Sequence, residues 1–196
     1  NTNRFALVAL LQRLGCVVQD LGQVADDLEA TRAALRRGAA ESDVILTSGG
    51  VSVGEEDHVK AAVRAEGRLD LWQIGIKPGK PLAFGQVRRP GGGEVDFIGL
   101  PGNPVSAFVT FLVLVRPFLL RRQGATRVTP VAYRLLAADP WLKGDRRREF
   151  LRATLNQDGA VAIYPHQGSG VMASSVHGDG LLDVPAQTLV QRGDWV

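Results

Sequence analysis

The sequence predicts an α/β fold in two parts: a domain with a mostly parallel sheet covered by helices on both faces, then a small all-β domain. Up to about residue 124, short apolar runs alternate with stretches of helical periodicity, which is typical of βα units. From residue 125 onward, short extended runs are separated by Gly, Pro and Asp turns instead. We therefore place the two domains at residues 1–124 and 125–196.

The first domain begins with helical patterns and apolar runs in regular order. Thr2 or Asn3 can cap the first helix, and Gly15 ends it. β-branched and apolar runs indicate strands, and apolar residues at helical spacing indicate helices. The predicted elements that follow are a strand at 16–21, a helix at 28–37, a strand at 43–47, a helix from about 57 and a strand at 69–76.

A hairpin and a long apolar helix complete the predicted first domain. Residues 81–87 and 95–98 are extended runs joined by a Gly-rich connector, which is typical of a β-hairpin. Asn103 and Pro104 mark the start of the helix, because Asn is a frequent N-cap and Pro fits the first helical position. The helix is expected to reach about residue 120, and Pro117 is expected to kink it.

The second domain is predicted to consist of short strands. Its extended runs lie at residues 131–136, 149–155, 161–164 and 181–184. A polar, Gly-rich turn at residues 166–170 is in most proteins no more than a turn.

Composition limits the classes of function. The 196 residues carry a formal net charge of +3 and are 45% hydrophobic, which supports a packed core and suits small anionic ligands. The positive charge is too modest and scattered to predict nucleic-acid binding. The longest apolar run, residues 108–115, is too short to span a bilayer, so we expect no membrane association and a cytoplasmic location. A single cysteine, Cys16, excludes an internal disulfide, and the spacing of the three histidines predicts no zinc site.

A Gly-rich loop at residues 47–57 lies between a predicted strand and a predicted helix. This order places backbone N–H groups and a helix start around one small space, which suits an anion. The loop matches neither the phosphate-binding loop of nucleotide hydrolases nor the dinucleotide fingerprint. By itself it fits an anion cradle and a structural turn equally well. Its candidate ligand-binding residues are Ser48, Gly49, Gly50, Ser52 and Gly54.

Charged residues occur at the end of this loop and elsewhere in the first predicted domain. Lys77 and Lys80 lie on a stiff Lys-Pro-Gly-Lys-Pro turn, which could present two ammonium groups to a phosphate or be a solvated surface turn. Asp57 and Asp26 each precede a predicted helix. They are either helix caps or ligands of Mg²⁺, which prefers one or two carboxylates together with substrate phosphate.

Three motifs in order resemble the molybdopterin molybdenumtransferase family, the gephyrin-like enzymes of molybdenum-cofactor synthesis. The motifs are the Gly loop with Asp57, the sequence Ile-Lys-Pro-Gly-Lys-Pro at 76–81, and Gly-Leu-Pro-Gly-Asn-Pro-Val-Ser at 99–106. The opening Asn-Thr-Asn-Arg, the Asp26-Asp27 pair and His-Gln-Gly-Ser at 166–169 fit the family as well. The resemblance covers essentially the whole chain.

The resemblance implies a fold and a reaction. The fold is a three-layer α/β/α molybdopterin-binding domain followed by a small β-barrel domain. Members use Mg²⁺, take adenylylated molybdopterin, insert molybdate at its dithiolene and release AMP. By this resemblance Asp57, Asp26 and Lys77 are catalytic, and Asp57 and Asp26 organise the metal and the molybdate. The Gly loop, Lys77 and Lys80 hold the pterin-linked phosphates. Further cofactor-binding positions are Pro101, Gly102, Asn103, Pro104, Ser106, Arg152 and Ser169.

The sequence also departs from the family. In family members a first sheet strand and a Thr-Gly-Asp-Glu loop precede the Asn1 region, and this sequence contains neither. A family lysine is replaced by Gln73 here. The chain begins without Met, so we expect a C-terminal piece of a longer enzyme that is a homodimer when intact. Whether the piece is active stays open. Two alternatives stay open as well: a molybdopterin adenylyltransferase, which the β domain disfavours, and a non-catalytic binding or scaffold module.

Overall fold

The structure is a computed structural model that describes residues 2–51, 58–170 and 172–196. In chain order its helices and strands are α1 (Thr2–Arg13), α2 (Leu28–Glu41), β1 (Val44–Ser48), α3 (His58–Glu66), β2 (Gly67–Gln73), β3 (Ile76–Lys77), β4 (Pro81–Arg88), β5 (Glu94–Leu100), α4 (Pro104–Thr110), a π-helical turn (Phe111–Val115), α5 (Arg116–Arg122), β6 (Arg148–Leu155), β7 (Val161–Ile163), α6 (Ala173–His177) and β8 (Gly180–Val184).

The first sheet is the middle of three layers. Side chains on successive strand residues point to opposite faces, so Val95 and Phe97 of β5 pack under α2 and α3. Ile98 and Leu100 of the same strand face the other way and pack against α1 and the α4–α5 run. Each face of the sheet therefore has its own apolar core, which confirms the predicted α/β/α layering.

The first sheet is mixed, whereas the sequence predicted a mostly parallel one. Its strand order is β1-β5-β4-β2 among the described residues. The β1–β5 pair is parallel, but β5–β4 and β4–β2 are antiparallel. The reason is the length of the connection between β4 and β5. A hairpin connection this short can join only antiparallel strands. The single parallel pair matters for the site, since β1 and β5 end at the same edge.

The strand predicted at residues 16–21 is wrong. These residues follow α1 without strand structure, and the side chain of Val17 is fully exposed. β-branched residues favour a strand chiefly through packing against neighbours on a pleated surface, and no described strand pairs with this segment.

The long apolar helix begins at Pro104, as predicted, and continues to Arg122. Pro117 has no N–H to donate, and the turn before it widens into the π-helical turn, where the Arg116 N–H donates to the Phe111 carbonyl. By length and composition this helix could cross a membrane. Its buried residues, however, pack against the first sheet and the second domain, which is the environment of a core helix.

The second sheet has β6 at its centre. β7 and β8 pair antiparallel with β6, as the predicted strands at 149–155, 161–164 and 181–184 imply. The predicted strand at 131–136 is wrong: its chain is irregular, with one bridge from Leu136 to Trp195. The helix α6 was not predicted.

The two predicted domains share a sheet and a core. β3, which lies in the first predicted domain, pairs parallel with β6. Val105 and Val109 of α4 pack against Phe150 of β6. The division at residue 124 stays a prediction, and the junction places α4 beside the loop at residues 166–170.

Candidate functional site

Two loops meet where β1 and β5 end. The parallel register places Ser48, the last residue of β1, opposite Leu100, the last residue of β5. The chain then turns through Gly49 and Gly50, whose φ angles are 88° and 68°. A Cβ built on Gly102 would lie 3.7 Å from the Cα of Gly49, so the two loops lie side by side. We call residues 48–50 together with residues 101–104 the cradle.

The cradle lies where α/β proteins bind ligands. In open sheets of this class the ligand crevice is at the carboxyl ends of parallel strands. The Gly49 N–H donates to the Leu100 carbonyl at 3.0 Å, and the Ser48 hydroxyl donates to the Pro101 carbonyl at 3.2 Å. A Cβ on Gly49 would have no atom of the described residues within 4 Å, so these residues leave open space in front of Gly49. The cradle can therefore admit a ligand close to its backbone.

Asn3 ties the two loops together through its side chain. Its side chain is buried in the first turn of α1. Its Nδ2 donates to the Ser48 hydroxyl oxygen at 2.7 Å and to the Gly102 carbonyl at 2.8 Å. The sequence identified Asn3 as a helix cap and as part of a family motif, but not as a residue of the site.

The loop at residues 166–170 of the second domain closes one end of the cradle. The backbone N–H of Val105, in the first turn of α4, donates to the Ser169 carbonyl at 3.1 Å. Asn103 does not cap its own helix through its side chain. Its Nδ2 instead donates to the Ser169 hydroxyl at 3.2 Å, so the structure brings these two predicted binding residues together.

Arg152 supports this loop from within the second domain. It is 1% exposed, and its guanidinium donates to the Ser174 hydroxyl at 3.1 Å and to the Gly168 carbonyl at 3.2 Å. Burial lowers the pKa of this guanidinium below its usual value. Gln167 adds two hydrogen bonds to the Arg152 backbone. In this structure Arg152 holds the loop that carries Ser169, and its predicted contact with a ligand stays a prediction.

Lys77 faces carboxylates of the second domain. Its Nζ lies 2.9 Å from Glu149 Oε1 and 3.2 Å from Asp145 Oδ2. Glu149 is 1% exposed and also accepts a hydrogen bond from Trp141 Nε1 at 3.0 Å. Burial alone would lower the pKa of Lys77, but pairing with these two carboxylates outweighs it and raises the pKa.

The charge of Lys77 is thus balanced within the protein. Arg147 pairs with Asp145 as well, at 3.0 Å, and its hydrogen bonds hold the pKa of that carboxyl well below the usual range. Two cations and two carboxylates make this group neutral. The predicted role of Lys77 as a phosphate ligand stays a prediction, and it requires the ammonium to offer a remaining N–H or to leave these partners.

The other predicted binding residues differ in exposure. Lys80, on the same turn as Lys77, is exposed. Pro101 and Ser106 are buried, and Pro104 is half-buried at the start of α4. Pro101 and Pro104 lie in the second loop of the cradle, and their role as its wall stays a prediction. Ser106 lies inside α4. Ser52, Gly54 and Asp57 lie outside the described residues.

The predicted metal ligands are only partly described. Asp26 is exposed, and the cap of α2 is its neighbour Asp27, whose Oδ1 accepts the Ala30 N–H at 2.9 Å. Helix capping at this position thus belongs to Asp27 and not to Asp26. Across residues 2–51, 58–170 and 172–196 no group of three or more His, Cys, Asp or Glu could hold a metal ion.

Comparison of the sequence with known protein families identifies the family of this chain. The family described as "Probable molybdopterin binding domain" matches residues 1–121. The chain belongs to this family. Residues 134–196 match a second family, described as the MoeA C-terminal region, domain IV. The cradle thus lies in the molybdopterin-binding domain, and Ser169 comes to it from the MoeA C-terminal region.

Similar proteins agree with both matches. Molybdopterin molybdenumtransferase of Haemophilus influenzae is 38% identical over 181 residues, which are 90% of this chain but 44% of that protein. A molybdenum cofactor biosynthesis protein of Pyrococcus furiosus superposes with a TM-score of 0.79 at 26% identity over 100% of this chain and 63% of its own. The molybdopterin biosynthesis MoeA protein of Pyrococcus horikoshii gives 0.79 at 27% identity, over 99% and 46%. The chain thus spans less than half of the Haemophilus relative.

Proposed function

We propose that the full-length protein containing this chain inserts molybdate into adenylylated molybdopterin and releases AMP. The observation that carries the proposal is the cradle, where two backbone loops lie side by side at the carboxyl ends of adjacent parallel strands. The match to the molybdopterin-binding family supports the pterin as the ligand. The Haemophilus relative, whose name is molybdopterin molybdenumtransferase, supports the reaction.

The cradle suits the phosphates of this substrate. No described residue would lie within 4 Å of a Cβ on Gly49, so a phosphate can approach the backbone there, and Ser48 and Asn103 are the polar side chains of the two loops of the cradle. Lys80 is the exposed cation of the neighbouring turn. Cleavage of a phosphoanhydride depends mainly on positioning and on neutralising charge, and these residues would supply both.

Mg²⁺ is part of the proposal, with Asp57 and Asp26 as its predicted ligands. The described residues alone do not form a metal site, since no group of three or more His, Cys, Asp or Glu among them could hold a metal ion. We therefore derive no step through the ion. When bound, Mg²⁺ would neutralise charge on the phosphates of the substrate.

We also propose that the intact protein is a homodimer, as the family resemblance implies. We propose a cytoplasmic location as well, which the composition and the short apolar runs of the sequence predict.

The experiment that tests the function is an assay of AMP release by the full-length protein. We expect AMP from adenylylated molybdopterin only when molybdate and Mg²⁺ are both present, and no AMP after chelation with EDTA. Synthesis of the adenylate from ATP and molybdopterin would instead identify an adenylyltransferase. Binding of molybdopterin without turnover in either direction would identify a binding or scaffold module.

A further inference from the structure

We propose that Asn3 is a positioning residue that sets the spacing between the two loops of the cradle. The inference rests on the proposed function, because its consequence is measured on the binding of adenylylated molybdopterin. It concerns a side chain that contacts both loops and that the sequence motifs do not assign to the site.

The amide group of Asn3 can hydrogen-bond to both loops at once. A primary amide has two N–H donors on one nitrogen, and the structure places an acceptor at each of them. One acceptor is the hydroxyl oxygen of Ser48, and the other is the carbonyl of Gly102. The side chain is 6% exposed, so water cannot readily replace these hydrogen bonds.

Asn3 acts where the sheet no longer holds the loops. The β1–β5 ladder ends at Ser48 and Leu100, and the last backbone bond beyond it joins Gly49 to Leu100. The Ser48–Pro101 bond, at 3.2 Å, is long for a bond donated by a hydroxyl. The bonds from Asn3 are shorter, and the one to Gly102 reaches a residue further along the second loop. The spacing of Gly49 and Gly102 therefore depends on Asn3.

The test compares Asn3→Asp and Asn3→Ser with wild type in the full-length protein. Asn3→Asp keeps the shape of the side chain but removes both donors and adds negative charge next to the two loops of a proposed anion site. We expect it to raise KM for adenylylated molybdopterin at least tenfold, with kcat within about threefold of wild type, because the lost interaction concerns binding in the ground state and transition state alike. Asn3→Ser can reach at most one acceptor, and we expect a smaller rise in KM.

The control variant is Gln12→Ala, which removes an exposed amide from the same helix. It should leave KM and kcat unchanged. Thermal melting of each variant separates binding from stability. A lower Tm with KM within twofold of wild type, or loss of folded protein in both Asn3 variants, would reduce Asn3 to a structural residue and overturn the inference. Failure of the proposed function is a different result, namely a wild type that releases no AMP.

Discussion

Gly49 lies in the first loop of the cradle, and its backbone conformation is one that residues with a side chain rarely adopt. Its φ is 88°, and among residues 2–51, 58–170 and 172–196 no atom would lie within 4 Å of a Cβ there. Replacing it therefore adds backbone strain and a methyl group in the ligand space, without a clash against these residues. Gly91, at the exposed tip of the β4–β5 hairpin, has the same combination, with a φ of 85° and open space around its Cβ.

We expect Gly49→Ala to lower the free energy of unfolding by about 1–2 kcal/mol, as left-handed backbone does for residues with a Cβ. Gly91→Ala should cost a similar amount. Only Gly49→Ala should lower kcat/KM for AMP release, by about tenfold or more, because its methyl group occupies the space where the phosphates approach. Steady-state kinetics and urea denaturation of both variants check this. Equal kinetics in the two variants would argue against the cradle as the binding site.

The sequence predicts some residues of the site and not others, for a physical reason. Gly49, Gly50, Gly102 and Asn103 lie in local motifs whose turn chemistry is readable from the sequence. Asn3 contacts residues 45 and 99 positions away, and no local pattern specifies such a contact. The signals for it are its place in the opening Asn-Thr-Asn-Arg, which fits the family, and its polarity on the side of α1 that the fold buries.

Helices α2 and α3 are joined by an ion cluster on one face of the first domain. Glu66, at the end of α3, accepts hydrogen bonds from Arg36 at 2.9 Å and from Arg32 at 2.7 Å. These bonds lower the pKa of Glu66 from 4.5 to about 2, although burial of the carboxyl opposes the shift. Because the folded pKa lies below the unfolded one, the cluster stabilises the fold above about pH 4.5 and loses its effect as the pH falls toward 2.

We expect Glu66→Gln to lower the free energy of unfolding by about 1 kcal/mol at pH 7, since its arginine partners are partly exposed and screened. The difference from wild type should shrink steadily between the two pKa values of Glu66. Chemical denaturation at several pH values measures it. Glu94→Gln is the control, because Glu94 is more exposed and its distance to Arg68 is longer, 3.7 Å. A difference that does not change with pH would contradict the ion-pair account.

The elements divide into those set locally and those set by the tertiary fold. The β4–β5 hairpin and the start of α4 follow from turn and cap residues, so the sequence predicts them. Residues 16–21 and 131–136 have strand-forming composition but form no strand, because composition alone does not supply a paired neighbour. The mixed sheet was also not predicted, although the predicted hairpin already required one antiparallel pair.

At the scale of the whole molecule, the two family regions share one site. Ser169 of the second region contacts Asn103 and the start of α4, and β3 of the first region joins the second sheet. Lys77 crosses the same junction to Glu149 and Asp145. The second region thus contacts the cradle, and its carboxylates balance the charge of the lysine predicted to bind phosphate. Periodicity predicted two domains but not these contacts between them.

The most direct test of the account is a crystal structure of the full-length protein with adenylylated molybdopterin. We expect the phosphates to lie in the cradle, between residues 48–50 and 101–104, with Asn3 still bonded to Ser48 and Gly102. The position of Lys77 in that structure, at a phosphate or still at Glu149, would decide its role. Phosphates bound away from both loops of the cradle would contradict the account.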